Sequence, residues 1–362
     1  MPLLERPSDL RFRYARSRDG TSIAFAPGLI RAHTSPWDGV GRGARGRAGP
    51  AGGIVRQGRT DRCRSRAGAG RGGASVRLGE SSRRRPRILG RMRATISSRQ
   101  NPRYKDALAL RDAPRRRARK RLLVDGAHEI GRAVDAGLVV LEAWIAPERV
   151  RSDVARALLP RLVSSAAEAF QTTPELLARL AYGQRDDGVI AVFEEPPTDL
   201  ARLRLPERPL VAVAERVEKP GNVGALMRSA DGAGVDAVVV ADAVSDIWNP
   251  NAVRASLGTI FSLPVAVCSS AEGMDFLRSR GVSIVAARVD ADAAYDAVDL
   301  TGPVAIVVGA ETSGLSEAWT GDDITPVRIP MLGLADSLNT AAAAAILLYE
   351  ARRQRRAAEA ER

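Results

Sequence analysis

Four short runs of Val, Ile, Leu and Ala recur in the C-terminal part of the chain, at 210–214, 237–241, 284–287 and 304–308. Each is apolar throughout instead of alternating with polar residues, so as a strand it has to be covered on both faces. Helix-like stretches at 223–232, 252–257 and 274–280 separate them, and an alanine-rich helix follows residue 339. Strands alternating with helices in this way predict a parallel sheet between two helical layers. No apolar stretch approaches the roughly 18 residues that a membrane span needs.

A second alternation lies upstream. Residues 104–111 read as a short helix, 122–126 as a strand ending in a turn and 128–136 as a helix. Runs at 138–145 and 189–193 are β-rich, and Thr173-Pro174 opens a further helix with a capping side chain followed by proline at its first position. Residues 196–208, rich in proline and charge, read as a linker. The expected division is 1–91, 92–195, 196–208 and 209–356.

Charge separates the first of these segments from the rest. The formal net charge is +13, yet residues 1–91 hold 21 Arg against 6 acidic groups, and residues 92–362 are near neutral. Residues 41–93 combine 16 Arg with 13 Gly, a composition that buries too little apolar surface to offset the entropy of ordering. We therefore expect 1–91 to be disordered, either as a basic tail or as sequence upstream of a true start at or near Met92. One local patch stays basic beyond it, running through Arg115, Arg116, Arg117, Arg119, Lys120 and Arg121, and is the candidate nucleic-acid contact. Cys63 and Cys268 form no metal spacing, and Cys268 reads as a small buried hydrophobe. With only two His in the chain, neither a His-based metal site nor a catalytic triad is expected.

Three segments sit at strand-to-loop junctions: EKPGNVGALMRSADGAG at 218–234, VAIVVGAETSGL at 304–315 and IPMLGLADSLNTAAAAAILLY at 329–349. Taken singly, they read as a helix start, a tight turn and a capped helix, with Asp336, Ser337 and Asn339 as candidate caps. No phosphate-loop or dinucleotide glycine pattern is present, which argues against a nucleotide hydrolase or a nicotinamide oxidoreductase. In order and spacing, the three together resemble the motifs of the SpoU/TrmH family of RNA ribose 2′-O-methyltransferases, members of the knotted SPOUT class. The upstream domain resembles the small L30e-type substrate-binding domain that precedes the catalytic domain in many SpoU members.

That resemblance implies an α/β fold with a C-terminal parallel-sheet domain containing a trefoil knot. It implies S-adenosylmethionine held by backbone near Gly309, Ile329 and Leu338, with Met331 and Leu338 against the adenine. It carries Arg228 into the chemistry and Asn222, Glu311, Ser337 and Asn339 into the remaining polar positions. Arg is a poor base because its pKa is above about 12, so stabilising the developing alkoxide is the role expected of Arg228. Arg254 is a candidate RNA contact, with Ser256 and Gly258 as packing and turn positions. Thr340-Ala-Ala departs from the Val-Ser pair that many members carry after the Asn. Structured RNA is the implied substrate, ribosomal before transfer RNA, in a cytoplasmic homodimer. An RNA-binding protein with an inert site is the competing reading.

Overall fold

The computed structural model describes residues 13–16, 22–25, 92–183 and 187–361. Strands β1 (Arg13–Arg16) and β2 (Ser22–Phe25) pair antiparallel in a unit of their own. The rest of 1–91, where disorder was expected, lies outside the described residues.

The remaining elements begin with a five-stranded mixed sheet. In chain order they are β3 (Ala94–Ile96), α1 (Pro102–Ala109), α2 (Ala113–Arg119), β4 (Arg121–Asp125), α3 (Ala127–Asp135), β5 (Val140–Ile145), α4 (Asp153–Ser165), β6 (Glu168–Thr172), α5 (Pro174–Leu180) and β7 (Val189–Glu194). The strand order is β3-β6-β5-β7-β4. Thr173 caps α5 with Pro174 at the first turn, as the sequence predicts, and Asn101 caps α1. Helix α2 ends on Lys120 in the left-handed region, at φ 52°.

The second sheet is wholly parallel. It contains β8 (Leu210–Glu215), α6 (Pro220–Ala233), β9 (Ala237–Ala241), α7 (Pro250–Ala255), β10 (Val265–Cys268), α8 (Ser270–Arg278), β11 (Ser283–Ala287), β12 (Val304–Val308), β13 (Ile324–Val327) and α9 (Thr340–Ala360). The order β10-β9-β8-β12-β11-β13 sends the chain outward from β8 on one side and then back to the other. Such a reversal opens a crevice beyond the carboxyl ends of the strands, where open α/β sheets bind ligands. The last strand, at 324–327, lies on the sheet edge.

The expected linker is packed. Leu203 is buried, and Thr198 accepts a backbone hydrogen bond from Val267 on edge strand β10 at 2.9 Å. Helix α9 buries Ala341, Ala344, Leu347, Leu348 and Ala351 in the core. Arg355, near its end, is itself buried and donates to the carbonyls of Leu300, Arg208, Pro209 and Gly302, which ties the helix to the entry ends of β8 and β12.

Candidate active site

Loop 309–314 folds back on itself immediately after β12. Ala310 and Gly314 exchange backbone hydrogen bonds of 3.1 and 3.0 Å, and Gly314 takes φ +66°. A Cβ on Gly309 would lie 2.3 Å from the carbonyl carbon of Gly314 and 2.4 Å from its oxygen. The first glycine is therefore needed for space and the last for its dihedral. Thr340, where the family pattern differs, donates its hydroxyl to the Gly309 carbonyl at 3.0 Å and pins this loop to the start of α9.

Between this loop and the one before α9 lies a cavity of about 340 Å³. Gly309, Ile329, Met331 and Leu338, the four residues expected to hold a cofactor, all line it, together with Glu311 and Ser337. Arg288, just past β11, is the single cation among the lining residues, and sequence reasoning did not single it out. Its Nε donates to Asp290 at 3.1 Å, while its Nη1 is buried with no hydrogen-bond partner among the described residues. An arginine closing an apolar run was the available signal.

A polar chain joins all three motifs beside the cavity. Asn222 donates through Nδ2 to Glu311, and Asn339 donates to Asn222 Oδ1 at 3.1 Å. Asn339 also caps α9 by accepting from the Ala341 N–H at 3.0 Å. Neither Asp336 nor Ser337 caps this helix; both are exposed on the cavity wall. Burial pulls the Glu311 carboxyl upward, but hydrogen bonds from Asn222 and from the backbone of Glu311 and Glu218, with Lys219 nearby, outweigh it and hold the group below the usual carboxylate range. Thr312 reaches back to Glu218 at 3.0 Å. Beneath the loop, fully buried Glu215 at the end of β8 accepts from Ser316 and Ser270. Glu215 escaped the sequence reading because a single acidic residue closing a strand carries no pattern.

Arg228 stands apart from this chain. It is exposed on α6, does not line the cavity, and makes no hydrogen bond or ion pair among the described residues. Six residues of helix place its Cα about 9 Å along the axis from Asn222. Those six residues also turn it about 120° round the axis, and helical Cα–Cβ bonds tilt toward the N-terminus, here the Asn222 end.

The expected RNA patch divides. Arg115 and Arg117 are exposed on α2, and Arg121 is half-buried. Arg119 pairs with Asp106 at 2.9 Å and Lys120 with Glu195 at 3.4 Å. Arg116 corrects the expectation: its side chain is 2% exposed and its Nη2 is bound to Asp246 at 2.6 Å, so no phosphate can reach it. Arg254 is likewise engaged, by Asp125 at 3.2 Å and by the Tyr182 carbonyl, and does not present itself to RNA. Ser256 is buried, and Gly258 takes φ +81°, in line with packing and turn roles. Cys268 is half-buried, and burial pushes its thiol up to about 11.

The profile of the SpoU rRNA Methylase family matches residues 209–349, and that of an MRM3-like substrate binding domain matches 101–191. A 23S rRNA (uridine(2479)-2′-O)-methyltransferase of Streptomyces viridochromogenes is 40% identical over 271 residues, covering 72% of this chain and 92% of the relative. A 23S rRNA (guanosine(2553)-2′-O)-methyltransferase of Bacillus subtilis is 30% identical, with 71% and 98% covered. Among solved structures, the SpoU methyltransferase AviRb of Streptomyces viridochromogenes in complex with AdoMet superposes with a TM-score of 0.65 at 35% identity, covering 71% of this chain and 98% of that one.

Proposed function

Because the chain belongs to the SpoU rRNA methylase family, we propose that it transfers a methyl group from S-adenosylmethionine to a ribose 2′-OH of 23S ribosomal RNA. The observation that carries this reading is the Glu311–Asn222–Asn339 chain, which joins all three motifs beside a cavity lined by the second and third.

The cavity suits the cofactor. Its volume falls in the usual range for small-molecule sites, and Ile329, Met331 and Leu338 offer an apolar seat for a purine ring. Gly309 keeps open a backbone approach that a methyl group would fill. Glu311 and Asp336 complement the positive sulfonium and ammonium, and Arg288 complements the carboxylate. When bound, S-adenosylmethionine supplies an electrophilic methyl group on sulfur. The chain's own residues orient the ribose and stabilise charge. Asn222, fixed by Glu311, and Asn339, fixed by the helix it caps, present amide groups beside the cavity to hold the ribose, with Ser337 on its wall. Arg228, unengaged, donates to the 2′-oxygen as its proton leaves to solvent, and so lowers the cost of the developing alkoxide.

Exposed Arg115 and Arg117 on the substrate domain contact RNA phosphates, with Arg119, Lys120 and Arg121 at the margin of the patch. The enzyme acts in the cytoplasm; among the described residues no helix is long and apolar enough to cross a membrane. The loops 309–316 and 328–339 form the knot of the SPOUT class. We also propose a homodimer, on an argument that differs from the one read in sequence. The apolar face of α9 is spent inside the chain, so Leu332 and Leu334 on the cavity loop, 98% and 104% exposed, together with half-exposed Tyr349, are what a second copy covers. We take the domains as 92–195 and 209–356, joined by the packed stretch 196–208.

The test is incubation of the purified full chain with S-adenosylmethionine labelled in its methyl group and a 23S rRNA transcript. Label in a nucleotide resistant to alkaline hydrolysis at its 3′ phosphodiester is expected. RNA binding without transfer would leave the inert-binder reading standing instead.

A further inference from the structure

The two α/β domains are not hinged. One apolar cluster contains Ile130 and Phe193 from the first domain and Leu226, Trp248 and Phe261 from the second. Phe193 lies 6.5 Å from Phe261, which stacks on Trp248 at 5.9 Å with ring planes 6° apart. Domains joined by small polar contacts move against each other by default, whereas a continuous apolar core holds them still.

Across this core runs a polar seam whose residues all bond in specific directions. Arg116 spends Nη2 on Asp246 across the boundary and Nη1 on the Leu110 and Arg111 carbonyls and the Tyr182 hydroxyl within its own domain. Asp246 is held in turn by the Trp248 N–H at 3.0 Å. Asp125 accepts from the Tyr182 N–H at 2.7 Å and from Arg254 across the boundary at 3.2 Å. Burial pushes the Tyr182 hydroxyl up to about 12, so it remains a protonated partner in this network. A third crossing joins Arg132 Nη1 to the Leu257 carbonyl at 2.6 Å, where the backbone sits at φ +54°. Buried ion pairs are a poor source of stability, since apolar contacts of similar volume hold as well or better. What a guanidinium fork adds over apolar contact is direction.

We propose that Arg116, Asp125, Asp246 and Arg254 are positioning residues: they fix the angle between the RNA-holding domain and the cavity, and that angle selects which ribose is methylated. The proposal rests on the functional reading above. The substrate domain acts as a rigid ruler, and a nucleotide is methylated when it lies at the set reach from the bound RNA element.

Two full-length variants test it. Arg254→Ala removes one crossing at the less buried end of the seam. Arg116→Met with Asp246→Leu replaces the buried pair by apolar side chains that keep the packing. Each is assayed for S-adenosylmethionine affinity by calorimetry, for kcat/KM on a 23S rRNA transcript, and for the positions of 2′-O-methylation along it. Expected are unchanged cofactor affinity, kcat/KM lower by about a hundred-fold for a misplacement of about 1 Å, and methyl groups spread to neighbouring riboses. Folded variants that modify the same single ribose at the wild-type rate would overturn the proposal, as would losses matched by lost cofactor affinity. A separate readout guards against failure of the functional reading itself. Spin labels at Val154→Cys and Arg356→Cys, with Cys63→Ser and Cys268→Ala, should give one narrow interdomain distance in the parent and a broadened one in the variants. Equal widths would refute the lock even if the transcript is never methylated.

Discussion

Gly309→Ala is the perturbation whose consequence follows most directly from the geometry. The added methyl carbon would stand 2.3 Å from the Gly314 carbonyl carbon, and 2.4 Å from both the Gly314 oxygen and the Leu315 nitrogen. All three are backbone atoms, so no side chain can swing aside, and the loop itself has to open. Overpacking of this kind costs about 1–3 kcal/mol. Opening the loop also moves the wall of the cofactor cavity and stretches the Thr340–Gly309 bond that ties it to α9. If the whole cost falls on the bound state, S-adenosylmethionine affinity drops roughly five- to 150-fold at 1.4 kcal/mol per decade. Gly314→Ala is the control. It meets nothing within 4 Å but must hold φ +66°, a strain of about 1–2 kcal/mol without a displaced wall. Calorimetric titration of both variants with the cofactor, alongside thermal melts, separates the two causes. Gly309→Ala binding within twofold of the parent, at an unshifted melting temperature, would refute the steric argument.

Three further outcomes follow from the site. Arg288→Met should weaken S-adenosylhomocysteine at least tenfold but leave 5′-methylthioadenosine, which lacks the carboxylate, nearly unaffected by calorimetry; equal losses would place Arg288 on the adenosine instead. The Glu311 carboxyl is held below its unfolded value, so its contribution to stability is present above the ordinary carboxylate range and is lost as pH falls through the lowered folded-state value. Glu311→Gln should therefore be less stable than the parent at neutral pH and show a smaller acid-induced drop in melting temperature. Arg115→Ala and Arg117→Ala should each lower the slope of log affinity against log salt for RNA by about 0.7–0.9, whereas Arg116→Ala should unsettle the domain junction instead.

The second sheet was legible because a strand buried on both faces needs an unbroken apolar run, and β8, β9, β11 and β12 each have one. β10 and β13 were harder: each has four residues, and Pro326 interrupts the latter at the sheet edge. Helix α4 was missed although Ser152 caps it, since Pro160 stands inside it and blurs its period. Gly309, Glu311, Asn222 and Asn339 were singled out by motif order, which needs no knowledge of contacts, and the structure brings them together at or beside the cavity. Arg116 was misread for a physical reason. A run of arginines on a short helix looks uniformly exposed in sequence, but the helix turns one of them inward, and the carboxylate that receives it lies 130 residues away. Arg254 was misjudged in the same way, its partner Asp125 being just as distant along the chain.

The proposed mechanism separates the cofactor's seat from the group that stabilises the 2′-oxygen. Arg228 does not line the cavity and makes no hydrogen bond or ion pair with the residues expected to hold S-adenosylmethionine. Measured on one preparation of Arg228→Ala, cofactor affinity should stay within about twofold of the parent while single-turnover methyl transfer to the 23S rRNA transcript falls about a hundred- to a thousand-fold. A folded Arg228→Ala protein that no longer binds S-adenosylmethionine, or that methylates the transcript at the parent rate, would contradict it.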